Sequence, residues 1–209
     1  MHDILEFFRS VRNPQALISW GGYAGLTFVI FAETGLLVGF FLPGDSLLVT
    51  AGLLSATTKI FNVYELGVLL TVASIVGNSV GYAIGRATGP RLFTREDSLL
   101  FNKKHLYRAH EFYERHGGAT VILARFMPIV RTFVPVVAGM AQMGYRQYTI
   151  YNIVGGVAWI WSMLFIGYFL GRYIPGIDKH IESVILVVIA ISLLPGVIGW
   201  YRARKASPN

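Results

Sequence analysis

Twenty consecutive residues, Leu66–Gly85, carry no charge, and that run decides the solvent in which this chain can fold. At 1.5 Å per residue such a helix reaches about 30 Å, the thickness of a bilayer's hydrocarbon core. Three more uncharged apolar runs share the property: Ala16–Ala32, which is marginal in length, Tyr148–Leu170 and Ser183–Tyr201. Core helices of soluble proteins rarely run so far without a charged face. With 54% hydrophobic and 14% charged residues among its 209, the chain is far from soluble composition. The expectation is an all-α polytopic membrane protein with four transmembrane helices.

The first residues, "MHDILEFFRSVRNPQ", mix Asp3, Glu6, Arg9 and Arg12 with apolar side chains. They lack the basic-then-apolar layout and cleavage site of a secretory signal, so 1–15 is expected to be a retained amphipathic helix lying in the membrane interface. The chain has no cysteine, which excludes disulfides, thiolate catalysis and cysteine-held metals. A formal charge of +7 is what a nucleic-acid binder would carry, but the basic residues sit between the apolar runs. Arg86, Arg91, Arg95, Lys103, Lys104, Arg108 and Arg115 fall in one connection, and Arg202, Arg204 and Lys205 at the end.

Loops rich in Lys and Arg stay cytoplasmic, which places 87–116 and both termini inside. Two apolar segments are then too interrupted to be ordinary spans. About 33–58 is broken by "LPGD" at 42–45, and about 117–143 by "RFMPIVRTFVP" at 125–135. Proline removes a helix donor and glycine permits sharp turns. Both segments are expected to be re-entrant hairpins shaped by Pro43, Gly44, Pro128, Pro135 and Gly139, buried in protein or lining a wet cavity.

The chain also repeats itself. "AGLL" at 51–54 is echoed by "AGMA" at 138–141, and "GYAIGR" at 81–86 by "GYFLGR" at 167–172, at offsets of 87 and 86 residues. In the topology above, one unit runs from outside to inside and the other the reverse. The two hairpins are therefore oppositely oriented and form an inverted repeat, the architecture in which broken helices meet to form a transport site.

Glu33, Asp45, Arg125 and Arg131 fall in or beside the hairpins. Each isolated charge costs roughly 2.5–3.5 kcal/mol at mid-bilayer, so four would cost on the order of 10 kcal/mol, comparable with the stability of a whole domain. They must pair or surround water. Arginine stays protonated and its planar fork takes phosphate oxygens in pairs, so Arg125 and Arg131 are candidates to clamp a phosphate. Desolvated Glu33 and Asp45 are candidates to carry protons.

Asn78 and Asn152, inside apolar spans, are expected to make helix–helix hydrogen bonds. Gly77, Gly81 and Gly85 suggest close helix packing. The five histidines, at 2, 105, 110, 116 and 180, lie outside the spans. "HEFYERH" at 110–116 has the wrong spacing for the H-E-x-x-H zinc motif, so no metal or other cofactor is expected. An amphipathic helix near 103–116 would rest on anionic lipid.

"FAETGLLVGFFLPGDSLLVTAG", "GNSVGYAIGR", "ERHGG", "ARFMPIVRTFVPVVAGMAQM" and "YNIVGGVAWIW" together resemble the DedA family, also called SNARE-associated or VTT-domain membrane proteins, over about residues 15–175. The resemblance implies a membrane domain at 16–175, followed at 176–209 by the last helix and a basic tail. It implies a bacterial cytoplasmic-membrane protein with two oppositely oriented hairpins, dependent on the proton-motive force and serving envelope maintenance. Some members are implicated in returning undecaprenyl phosphate to the inner leaflet, and eukaryotic relatives resemble them as lipid scramblases. The family's essential acids match Glu33 and Asp45, its essential arginines Arg125 and Arg131. Asn78 departs from the pattern, since many relatives have aspartate there.

These readings converge on a proton-coupled transporter of an anionic, phosphate-bearing membrane lipid. Proton co-transport would cancel the head-group charge, whose inward movement costs about 2.3 kcal/mol per 100 mV. The alternative is a proton-coupled ion or small-solute antiporter for pH or osmotic balance. An enzyme is not expected: no histidine lies within the spans, and "LPGD" is not the G-x-G-D of an intramembrane aspartyl protease. A structural or assembly role and a homo-oligomer are left open by sequence.

Overall fold

The computed structural model describes residues 14–36, 44–58, 60–93, 118–174, 176–177, 183–184 and 186–187. Residues 1–13 of the expected interfacial helix (1–15), Pro43, most of the linker 87–116 (from 94 on) and almost all of the last span and tail lie outside them. Among the described residues every element is helical. In order they are α1 (Pro14–Gly35), α2 (Gly44–Thr57), α3 (Val63–Phe93), α4 (Ala119–Ala124), α5 (Pro128–Met140) and α6 (Tyr145–Tyr173).

α3 and α6 are the two described helices long and apolar enough to cross a membrane, over Val63–Gly89 and Tyr145–Tyr173. α3 continues past the expected end at Gly85 to Phe93, into the expected linker. Each helix leaves an apolar stripe uncovered: Val68, Val72 and Val76 on α3, and Ile150, Val154 and Val157 on α6. Spacings of three and four put each set on one helix face, and exposed apolar residues so aligned suit contact with lipid.

The second interrupted segment breaks at Arg125–Met127, between α4 and α5. Met127 is extended (φ −115°, ψ 104°) and Pro128 opens α5, a position where its missing donor is not needed. Pro135 and Gly139 do not shape a turn, contrary to expectation. Pro135 lies inside α5 and removes only one backbone hydrogen bond, and its ring has room because it faces Gly81, where even a Cβ would stand 3.2 Å away. Gly139 lets α5 approach the backbone of α3 at Tyr82. In the first segment Gly44 opens α2 and is buried. α1 carries an unexpected kink at Gly22 (φ 51°, ψ −144°).

The chain divides into two compact units. One comprises the described residues of Met1–Val29, Leu42–Leu70 and Ile160–Asn209; the other those of Ile30–Phe41 and Thr71–Trp159. In the first, Leu26, Leu47, Leu48, Leu53, Leu66, Ile160 and Leu164 are buried, and α2 lies on α6 with Gly52 against Leu164 and Gly167 against Val49. Tyr23 ties α1 to the start of α3, donating to Glu65 at 3.1 Å and accepting from the Asn62 N–H at 2.9 Å. In the second, Tyr82, Val121, Ala124, Val134, Ala138 and Tyr148 form a core, and α5 lies on α3.

Candidate functional site

The second unit gathers three of the four sequence-predicted charges. Glu33 sits in the last turn of α1, held there by a close approach of α1 to α3. A Cβ on Gly35 would lie 2.9 Å from the Gly77 carbonyl oxygen, and one on Gly77 would lie 2.7 Å from that of Phe31. Arg131 stands in the first turn of α5, its backbone N–H bonded to Met127 O at 3.0 Å. Its guanidinium donates to Glu33 Oε1 in an ion pair and lies over the Trp159 ring, 4.6 Å from its centroid. Glu33 is 1% exposed and Arg131 5%, so solvent screens this pair little.

Arg125 is as deeply buried, at 2% exposure, but meets a different set of groups. It occupies the turn after α4, with its N–H on Ile122 O at 3.2 Å. One terminal nitrogen donates to Ser74 Oγ at 2.6 Å and the other to Asn152 Oδ1. With its amide turned to satisfy both neighbours, Asn78 accepts from the same arginine at 2.6 Å and donates to Thr34 O at 2.9 Å. Among the described residues these partners are all neutral, and the Arg125 Nε finds none. Gly155 and Gly156 of α6 flank the side chain: a Cβ on Gly155 would stand 2.9 Å from Arg125 Cδ, and one on Gly156 3.4 Å from Nη1.

Electrostatically the two arginines therefore differ. Arg131 and Glu33 cancel, whereas Arg125 is a buried cation solvated by a hydroxyl and two amides. Among the described residues such a group is held through dipoles rather than by an opposite charge. Asp45, the fourth charge, belongs to the first unit, where it is buried in the first turn of α2.

Asn78 and Asn152 do bond between helices, as expected. Asn152 Nδ2 donates to Ile75 O at 3.0 Å and Ser79 Oγ at 3.3 Å. The same side chains also line Arg125, which sequence reasoning did not foresee, and Ser74, Gly155 and Gly156 were not singled out. The available signal was "YNIVGG", an amide one turn before a glycine pair. Trp159 likewise appeared only within a motif. A surface groove of about 470 Å³ lined by Ser79, Tyr82, Ala83, Arg86, Ala87 and Tyr145 includes none of the four charges. No group of three or more His, Asp or Glu able to hold a metal occurs among the described residues.

A family model described as the VTT domain matches residues 42–169. Over 186 residues the chain is 47% identical to Protein DedA of Escherichia coli strain K12, covering 88% of this chain and 84% of that one. It is 43% identical over 202 residues to an uncharacterized membrane protein of Mycobacterium leprae, covering 96% and 85%. It is 31% identical over 195 residues to the inner membrane protein YqjA of E. coli strain K12, covering 92% and 87%. No solved structure matches.

Proposed function

This chain belongs to the DedA family of VTT-domain membrane proteins, and on that footing we propose that it is a proton-motive-force-dependent transporter of an anionic, phosphate-bearing membrane lipid. Undecaprenyl phosphate is the leading candidate, and the role is envelope maintenance. The observation that carries the reading is the environment of Arg125: a guanidinium with 2% exposure whose described partners are the neutral Ser74, Asn78 and Asn152. A structural arginine at such depth is better served by a carboxylate, as Arg131 is by Glu33. An arginine held by neutral dipoles stays available to an incoming phosphate, whose paired oxygens match its fork.

In this mechanism Arg125 is the principal phosphate ligand. Arg131 joins it when Glu33 takes up a proton and the ion pair opens, and Asp45 is the second proton carrier. The proposed architecture has four spans and two oppositely oriented re-entrant hairpins, with both termini cytoplasmic. No catalytic chemistry, cofactor or nucleic acid enters, and the basic connections rest on anionic lipid.

The test is translocation of undecaprenyl phosphate in proteoliposomes with and without an imposed pH gradient, for wild type, Glu33→Gln and Arg125→Gln. Wild type should respond to the gradient, Glu33→Gln should lose that response, and Arg125→Gln should fall at least tenfold. Lipid movement at the wild-type rate by folded Arg125→Gln would overturn the assignment. Proton-linked cation flux without lipid movement would favour the antiporter.

A further inference from the structure

The duplicated G-Y-x-x-G-R gives α3 and α6 equivalent glycine pairs, Gly81 with Gly85 and Gly167 with Gly171. Each pair belongs to a surface on which a short helix of the other repeat lies: α5 on α3, α2 on α6. The offsets of 87 and 86 residues set the correspondence. Val49, Gly52 and Leu53 of α2 match Val136, Gly139 and Met140 of α5. Leu164, Gly167 and Gly171 of α6 match Asn78, Gly81 and Gly85 of α3.

Within the first unit Gly52 lies against the Leu164 carbonyl and Gly167 against that of Val49, while a Cβ on Gly171 would stand 2.9 Å from Leu53 O. If the second unit were packed alike, α5 would contact Asn78, Gly81 and Gly85. The matching close contacts of α5 fall on Tyr82, Gly85 and Gly89 instead, with Pro135 beside Gly81. Gly139 lies against the Tyr82 carbonyl and Gly85 against that of Val136, and a Cβ on Gly89 would stand 3.0 Å from Met140 Cα. All three contacts are displaced in the same direction by four residues. That is one helical turn, about 6 Å.

The two long helices differ in what they offer. α3 carries glycine at 81, 85 and 89, enough for both registers. On α6 the position matching Gly89 is Pro175, so α2 is offered only the register it occupies. Gly81 is not required by the present packing: a Cβ there would meet Pro135 Cβ at 3.2 Å and Gly35 O at 3.6 Å, a demand of a few tenths of an ångström. In the other register Gly81 would take the place of Gly85, against the Val136 carbonyl, where no Cβ fits.

We propose that α5 has two seats on α3, one turn apart, and moves between them while α2 stays seated on α6. The inference rests on the transport reading, for which this is the moving part. One-turn ratchets of packed helices are an established kind of two-state switch. The slide toward the N-terminal end of α3 carries Arg131 about 6 Å along the axis, parting it from Glu33. The non-helical segments on either side, Arg125–Met127 and Ala141–Gly144, absorb the displacement.

Because the chain has no cysteine, paired spin labels can be placed cleanly. Labels at Phe133 of α5 and Ala87 of α3, both exposed, are read by double electron–electron resonance in phosphatidylethanolamine–phosphatidylglycerol vesicles, with and without a pH gradient. Wild type should give two distances, the second about 6 Å longer along the axis. Gly81→Ala should keep only the shorter and Gly89→Ala should enrich the longer. A second pair, at Thr57 and Ile166, should give one distance throughout. A single Phe133–Ala87 distance under every condition, or two that ignore Gly81→Ala, would overturn the proposal, and two distances for Thr57–Ile166 would overturn the fixed seat of α2. The measurement reads motion without transported lipid, so a failure of the lipid assignment leaves its outcome intact.

Discussion

Arg125 and Arg131 are separated by one helix break, and what neutralises each sets the expected effect of removing it. Arg131→Gln leaves the Glu33 carboxylate buried without its cation, and breaking such a pair from one side costs about 3–5 kcal/mol. Thermal unfolding in detergent should show that loss, and the double variant Glu33→Gln/Arg131→Gln should recover much of it. Arg125→Gln removes a cation whose described partners are neutral and leaves an amide able to bond to Ser74 or Asn152. Its stability should stay within about 1 kcal/mol of wild type while transport is lost. Equal destabilisation by both changes would make Arg125 a structural residue. The sequence made the signs of these charges legible, because isolated ions in apolar runs demand partners. It did not separate the two arginines. Ser74, Asn78 and Asn152 come from two different helices; the two asparagines each read in isolation as ordinary interhelical glue, and Ser74 carried no signal of its own.

At the scale of elements, glycine does two kinds of work that one letter in a sequence does not distinguish. Gly22 kinks α1 at φ 51°, ψ −144° with nothing within 4 Å of where a Cβ would sit. Its neighbour Gly21 has equally open surroundings but no such backbone conformation. Gly22→Ala should therefore destabilise by about 1–3 kcal/mol through backbone strain alone. Gly21→Ala should be neutral or stabilising by up to about 1 kcal/mol, and paired melting curves in one detergent decide it. If both changes act alike, the kink does not govern α1. Elsewhere the glycines mark close approach. The break before Pro128 was legible because a proline at a helix start and one in its interior obey different rules, yet Pro135 read as a second break. It lies inside α5 instead, facing Gly81 some fifty residues away. The repeat was legible in the shared motif, whereas the one-turn difference in register was not, since register depends on which residues face each other across helices.

For the whole molecule, long apolar runs settled that the chain is a membrane protein before any contact was known, and the basic residues supply its proposed orientation. α3 has 27 residues over Val63–Gly89 and α6 has 29 over Tyr145–Tyr173. At 1.5 Å per residue each is about 40 Å long, enough to bring both ends to or beyond the head groups. The sign of the orientation rests on Arg86, Arg91 and Arg95 following the span of α3, against the sparser Arg172 and Lys179 following that of α6, the asymmetry that keeps basic loops on the cytoplasmic side. Single cysteines at Ile60 and Tyr173, which are 66% and 73% exposed, should then react with a membrane-impermeant maleimide added to intact cells. Cysteines at Ala87 and Gln147, also exposed, should react only after the membrane is opened. With no native thiol the labelling is unambiguous. The reverse pattern would invert the protein and place the basic linker outside. Labelling of Ile60 and Ala87 alike from outside would deny that α3 crosses, and with it the oppositely directed α6 on which an inverted repeat depends.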